Sequence, residues 1–187
     1  MSEVTNPGEI FLNERSNTIT PGSTIIIASE GNRAITAEIQ ALVGTTAYPA
    51  PRRVTNGIDY NRLLQILAVI EKRIGLKFNT SDVYVNITGG IEIDEPAADL
   101  GIALAIITCA RDVIVDPSTA IVGEIGLSGE IRKVNNIEKR ISEAQKLGFK
   151  NIIIPKGNLK TNKEFEIKIT EVEKLADAVT SLSLIHI

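Results

Sequence analysis

The residues with the chemistry to act on a substrate gather in Gly89–Asp99, which reads Gly-Gly-Ile-Glu-Ile-Asp-Glu-Pro-Ala-Ala-Asp. Glu92, Asp94 and Glu95 stand beside Gly89-Gly90, and carboxylates so close together are the raw material of a cation site or an acid–base pair. The simpler reading is a solvated loop that caps the helix behind it. That loop leads into Leu100–Ile107, which has no polar side chain. Many enzymes hold a nucleophile at the mouth of such a helix, yet Ala97 and Ala98 carry no reactive atom. The single histidine, His186, lies at the C-terminal end, and the single cysteine, Cys109, on the apolar helix. Without another histidine, Ser-His-Asp and Cys-His catalysis and most zinc hydrolysis have no base or ligand. Ser128 and Lys133 are neighbours in sequence, but Ser128 belongs to the turn Gly126–Gly129, where serine serves local hydrogen bonding. Neither G-x-x-x-x-G-K-[ST] nor G-x-G-x-x-G occurs. Glu92, Asp94, Glu95 and Asp99 would repel a phosphate at the helix start.

The remaining chemistry is electrostatic. Arg52-Arg53, Arg62, Lys72-Arg73 and Arg132-Lys133 are candidate contacts to a nucleic-acid backbone, which basic side chains hold without reading sequence. Against that, they are also what a solvated charged face looks like. Net charge is −3, so any such contact must come from a local patch. Aromatic residues are 4% of the chain, which leaves Tyr48 and Tyr60, flanking the Arg pair, as the plausible stackers.

The elements that would position these groups are legible from periodicity. The 187 residues, 43% hydrophobic and 23% charged, suit one globular domain. One cysteine allows no internal disulfide and points to a reducing, cytoplasmic setting. Met1–Asn17 has no apolar core of a signal peptide, and Asn6-Pro7-Gly8 then Ile10-Phe11-Leu12 read as a linker within residues 1–20. Ser23–Ala28 and Ala34–Val43 read as strands of a hairpin, with Ile35, Ala37, Ile39 and Ala41 on the core face. Gly44–Gly57 reads as a long loop. Asp59 caps a helix carrying Leu63, Leu64, Leu67, Ile70 and Ile74 inward and Arg62 outward, stopped by Gly75. Val83–Thr88 is a strand. Pro96 suits a first helical position and Asp99 the positive end of the helix dipole. The helix behind them is apolar all round, as a central helix is, and too short for a membrane span of about 20 residues. Ala120–Ile125 and Glu130–Val134 read as strands, Ile137–Leu147 as a helix, Asn151–Ile154 and Glu166–Ile169 as strands, and Thr170–Glu173 as a capping box. This order predicts an α+β domain with helices packed on a mixed sheet over residues 21–181. Leu182–Ile187, Leu-Ser-Leu-Ile-His-Ile, matches the translation of a sequencing adapter and is expected to be a non-native tail.

Two motifs carry a family resemblance. Glu95-Pro96-Ala97-Ala98-Asp99 resembles the turn Gly-Pro-Ser-Ala-Gly that presents the catalytic serine in the proteolytic domain of Lon. The second motif runs Gly123-Glu124-Ile125-Gly126-Leu127-Ser128-Gly129-Glu130-Ile131, then Arg132–Arg140, then Leu147–Lys150 and Ile152–Pro155. Laid on the Lon pattern, the serine position is Ala97 and the lysine position Glu138, with Lys139 one residue and about 100° further round the helix. The EPAAD variant resembles the C-terminal Lon-like domain of the RadA (Sms) family of bacterial DNA repair proteins. The resemblance implies the Lon proteolytic-domain or ribosomal S5 domain 2-like fold, without proteolysis. It also implies a hexameric ring platform that helps guide single-stranded or branched DNA during branch migration. A cryptic serine peptidase and a purely structural oligomerisation module are the rival readings. ATP, Mg and Zn would belong to domains of the family that this sequence does not contain.

Overall fold

The computed structural model describes residues 20–185; the expected linker before Thr20, and His186, lie outside the described residues. The α+β class and the mixed sheet are what the chain adopts. Strands β1 (Ser23–Glu30), β2 (Arg33–Thr45), β3 (Arg53–Asn56), β4 (Ser81–Ile87), β5 (Thr119–Ile121), β8 (Asn151–Pro155) and β9 (Lys168–Val172) form one sheet in the order β3-β4-β2-β1-β5-β8-β9. The β2 pairings with β1 and β4 are antiparallel, and the others are parallel. A separate ribbon pairs β6 (Glu124–Ile125) with β7 (Ile131–Arg132). The helices are α1 (Tyr60–Arg73), α2 (Asp99–Ala110), α3 (Ile137–Lys146) and α4 (Leu175–Ile185).

The period-2 pattern of β1 divides the core. Ile26 and Ala28 face α1, α2 and α4, whereas Ile25 and Ile27 face α3. Two layers of helix therefore sandwich the sheet, as parallel strands require. Helix α2 is the centre of the larger layer, and every residue from Leu100 to Ile107 is buried. It lies so close to β1 that a Cβ on Gly101 would stand 2.2 Å from Ile26 Cγ2. The Thr24 hydroxyl donates to the Gly101 carbonyl at 2.8 Å.

Five expectations need correction. Gly44–Gly57 is not all loop: Arg53–Asn56 forms edge strand β3, too short to show alternation, in parallel register with β4. Leu64 is 39% exposed; it sits one residue off the stripe Leu63, Ile66, Leu67 and Ile70, about 100° round the helix. Ala120–Ile125 is not one strand, because the chain leaves the sheet at Val122-Gly123. There the Gly123 N–H donates to Ala97 O at 2.9 Å, and Leu100 N donates to Gly123 O at 3.0 Å. Glu130–Val134 shrinks to β7. Finally, Thr170–Val172 continues β9, pairing Thr170 with Ile153, so no capping box forms there. The Asp177 carboxylate accepts from Lys174 N at 3.0 Å instead. Helix α4 runs through to Ile185, and Leu182 is buried.

Candidate functional site

Pro96–Ala98 forms a single 3-10 turn with Pro96 at its first position, and α2 follows from Asp99. The turn is therefore shaped as its sequence requires, but its contents are closed. Ala97 is 5% exposed and packs in the smaller core with Ile25, Ile27, Ile137 and Ile141, beneath α3. Glu138 is not buried with it. It is exposed on α3, on a shallow groove with Arg33, Lys139, Ser142 and Lys146.

The two acids that bracket the turn are each held by an arginine. Arg140, 1% exposed, reaches in from α3. Its Nη1 and Nη2 donate to the two oxygens of Glu95, its Nη1 also to Ile27 O at 2.9 Å, and its Nε and Nη2 to Asn135 O and Oδ1 at 2.9 and 2.7 Å. All five guanidinium N–H groups are thereby used. Glu95 Oε1 accepts in addition from Ser29 N at 2.9 Å. On the other side, Arg62 Nε and Nη2 donate to Asp99 Oδ1 and Oδ2 as a two-pronged pair, and Ile125 N donates to Asp99 Oδ2 at 3.1 Å. Burial pushes the Asp99 carboxyl above the ordinary range, against the pull of Arg62. The hydrogen bonds to Asp99 raise the Arg62 guanidinium further above its usual value. The acidic cluster thus splits: Glu95 and Asp99 are internal partners, while Glu92 and Asp94 are exposed on a groove shared with Asp59.

The basic candidates also separate. Arg53 donates to the carbonyls of Ser81 and Phe78, so its guanidinium closes the loop before β4. Arg62 is engaged with Asp99. Arg52 is exposed, lies 4.1 Å from the centroid of the Tyr48 ring and pairs with Asp82 at 3.8 Å. The Asp82 carboxylate accepts from Arg52 N at 2.7 Å, which with its other neighbours holds it below the usual range. Lys72 and Arg73 end α1 in solvent, with the Arg73 stem against the turn at Gly129. Arg132 and Lys133 are exposed at the ribbon, on a cleft they share with Lys156, Glu124, Glu130 and Glu173. Asp59 caps α1 as expected, accepting from Arg62 N at 3.0 Å. Tyr60 is 48% exposed.

Sequence reasoning missed Arg140 and the inward turn of Glu95. A signal existed: Arg140 falls at i+3 from Ile137, on the buried stripe of an otherwise amphipathic helix. Among the described residues no group of histidine, cysteine and acids is arranged to hold a metal, and no helix is long and apolar enough to cross a membrane.

A family model described as subunit ChlI of Mg-chelatase matches residues 60–158, from the first residue of α1 to the loop after β8. The chain is 50% identical over 157 residues to the DNA repair protein RadA of Synechocystis, covering 84% of this chain and 31% of that protein. It is 46% identical over 184 residues to RadA of Bacillus subtilis, covering 97% and 40%. It is 49% identical to RadA of Streptococcus pneumoniae over 84% of this chain and 37% of that one. The chain spans between about a third and two fifths of the length of these curated relatives. It belongs to the family that the ChlI model describes, in the form carried by the RadA DNA repair proteins.

Proposed function

We propose that the chain is a non-proteolytic, Lon-like platform domain of a RadA-type DNA repair ATPase in the cytoplasm. On this reading it self-associates, as a ring of six, and lends phosphate contacts to single-stranded or branched DNA. ATP hydrolysis, with Mg and Zn, falls to other parts of the RadA length. The observation that carries the reading is the turn at Glu95–Asp99. It is a 3-10 turn at the mouth of an apolar helix, yet Ala97 is buried and the flanking acids are tied to Arg140 and Arg62. A turn locked in this way positions a helix rather than a reagent. Because Arg53 and Arg62 are engaged within the fold, the DNA contacts are assigned to Arg52, Lys72, Arg73, Arg132 and Lys133. A few cations per subunit become a strong patch when they repeat around a ring.

The test combines light scattering with fluorescence anisotropy on labelled single-stranded DNA across a salt series. The expected result is a hexamer whose affinity falls with salt. Replacing Arg52, Lys72 and Arg73 by alanine should weaken binding and reduce the log–log salt slope by about one per lost phosphate contact, with the assembly intact. Hexamers without DNA affinity would leave only the structural module. Labelling of the purified chain by a serine-directed fluorophosphonate would overturn the non-proteolytic reading.

A further inference from the structure

The sheet is covered unevenly. Helix α3 and its core lie over β1, β5, β8 and the start of β2 at Arg33-Ala34, and among the described residues no helix packs on the same face of β4, β3 or the later part of β2. That face is built in two cross-strand rows, set by the register. Leu42, Tyr84 and Val54 form an apolar row, and Gln40, Asn86 and Asn56 an amide row beside it. Leu42 is 63% exposed and Val54 44%, whereas their neighbours Ala41 and Val83 point into the core. The two rows floor a groove of about 520 Å³. Its end wall is Thr20–Ser23, the point at which the described chain enters the fold.

We propose that this groove is the seat of the chain's own N-terminal stretch, with Ile10-Phe11-Leu12 laid over Leu42, Tyr84 and Val54. Three features single out this occupant. The groove is continuous with Thr20, so a segment that leaves there is already inside it. Seven residues lie between Leu12 and Thr20, and the eight steps reach up to about 27 Å. The rows to be covered span two strand spacings, about 10 Å. Ile10-Phe11-Leu12 is also the one apolar cluster of a polar lead-in; alternate side chains of an extended segment face the sheet, so Phe11 would take the apolar row and leave the amide row to bond the backbone. Single exposed apolar side chains need no partner, but a contiguous row with an adjacent row of donors and acceptors marks a contact surface. The segment would fix the direction in which any preceding part of a longer protein departs. This inference stands apart from the DNA reading.

The full chain contains no tryptophan, so Phe11→Trp gives a single reporter. Expected are a blue-shifted emission, reduced acrylamide quenching that does not depend on protein concentration, and loss of both on adding Leu42→Asp. Leu42 is mostly in solvent, so that variant should keep the fold, checked by circular dichroism. Emission typical of a solvated indole in the parent variant would overturn the proposal. So would a blue shift that survives both Leu42→Asp and Val54→Asp. A shift that grows with concentration alongside a dimer in light scattering would also overturn it, assigning the groove to a second copy.

Discussion

Glu95 and Arg140 meet across 45 residues of sequence, and the arginine brings every one of its N–H donors to an acceptor inside the protein. The pair fastens α3, the β1 strand through Ile27 O, and the turn that starts α2 into one unit. A buried charge with all its hydrogen bonds made is costly to break from one side only.

Arg140→Ala should therefore destabilise the chain by about 3–5 kcal/mol, since it strands the Glu95 carboxylate and the Ile27 carbonyl together. Chemical denaturation of the parent and variant measures this. Adding Glu95→Gln should recover part of the loss by removing the stranded charge. A double variant no more stable than the single would place the damage in packing and not in charge.

Arg62→Ala leaves Asp99 buried without its counter-charge. Its carboxyl, already pushed up by burial, should rise further. A raised folded value means that the folded state holds the proton more tightly than the unfolded state. This variant should therefore gain stability as pH falls through that raised value, and lose it as pH rises. Urea midpoints at several pH values read the slope, and Asp99→Asn in the same background should abolish it.

Asp82 works in the opposite sense. Its carboxyl is held low, first by the Arg52 backbone N–H. The stability it contributes is complete above the ordinary aspartate value of about 3.9 and is lost as pH falls through the lower folded value. Asp82→Asn should thus flatten the acid limb of the stability curve below about pH 4 while changing its neutral-pH slope little. An unchanged acid midpoint would show that the loop before β3 is held by its other contacts.

Gly101→Ala adds one methyl where α2 touches β1, 2.2 Å from Ile26 Cγ2. Overpacking of this kind costs about 1–3 kcal/mol, more than the small gain in helix propensity returns. Ile26→Ala removes the clashing Cγ2, so Gly101→Ala should cost less in that background than in the parent, and thermal melts of the two single variants and the double decide the matter.

Much of this architecture was legible because its signals are local. The alternation of β1 and β2, the Asp59 cap, the stop at Gly75 and the all-apolar α2 each follow from spacing within one element. What stayed hidden depends on distant partners. The edge strand β3 exists because β4 pairs with it, and the bend at Gly123 exists because it must meet Ala97 and Leu100. The Thr170 capping pattern lost to strand pairing with Ile153. At the site, the sequence showed that Ala97 could not be a nucleophile. It did not show that Glu95 and Asp99 turn inward, since each finds its arginine 45 and 37 residues away.

Helix α2 has no solvent-facing side between Leu100 and Ile107, and this sets how the domain can move. Its amides cannot exchange with water through partial opening, because any path that frees them must first part the sheet from α1 and α4. The slowest-exchanging hydrogens should report the unfolding of the whole domain. Whatever signal passes through this protein must travel by rigid displacement of the entire body or along its rim, while the central helix stays still.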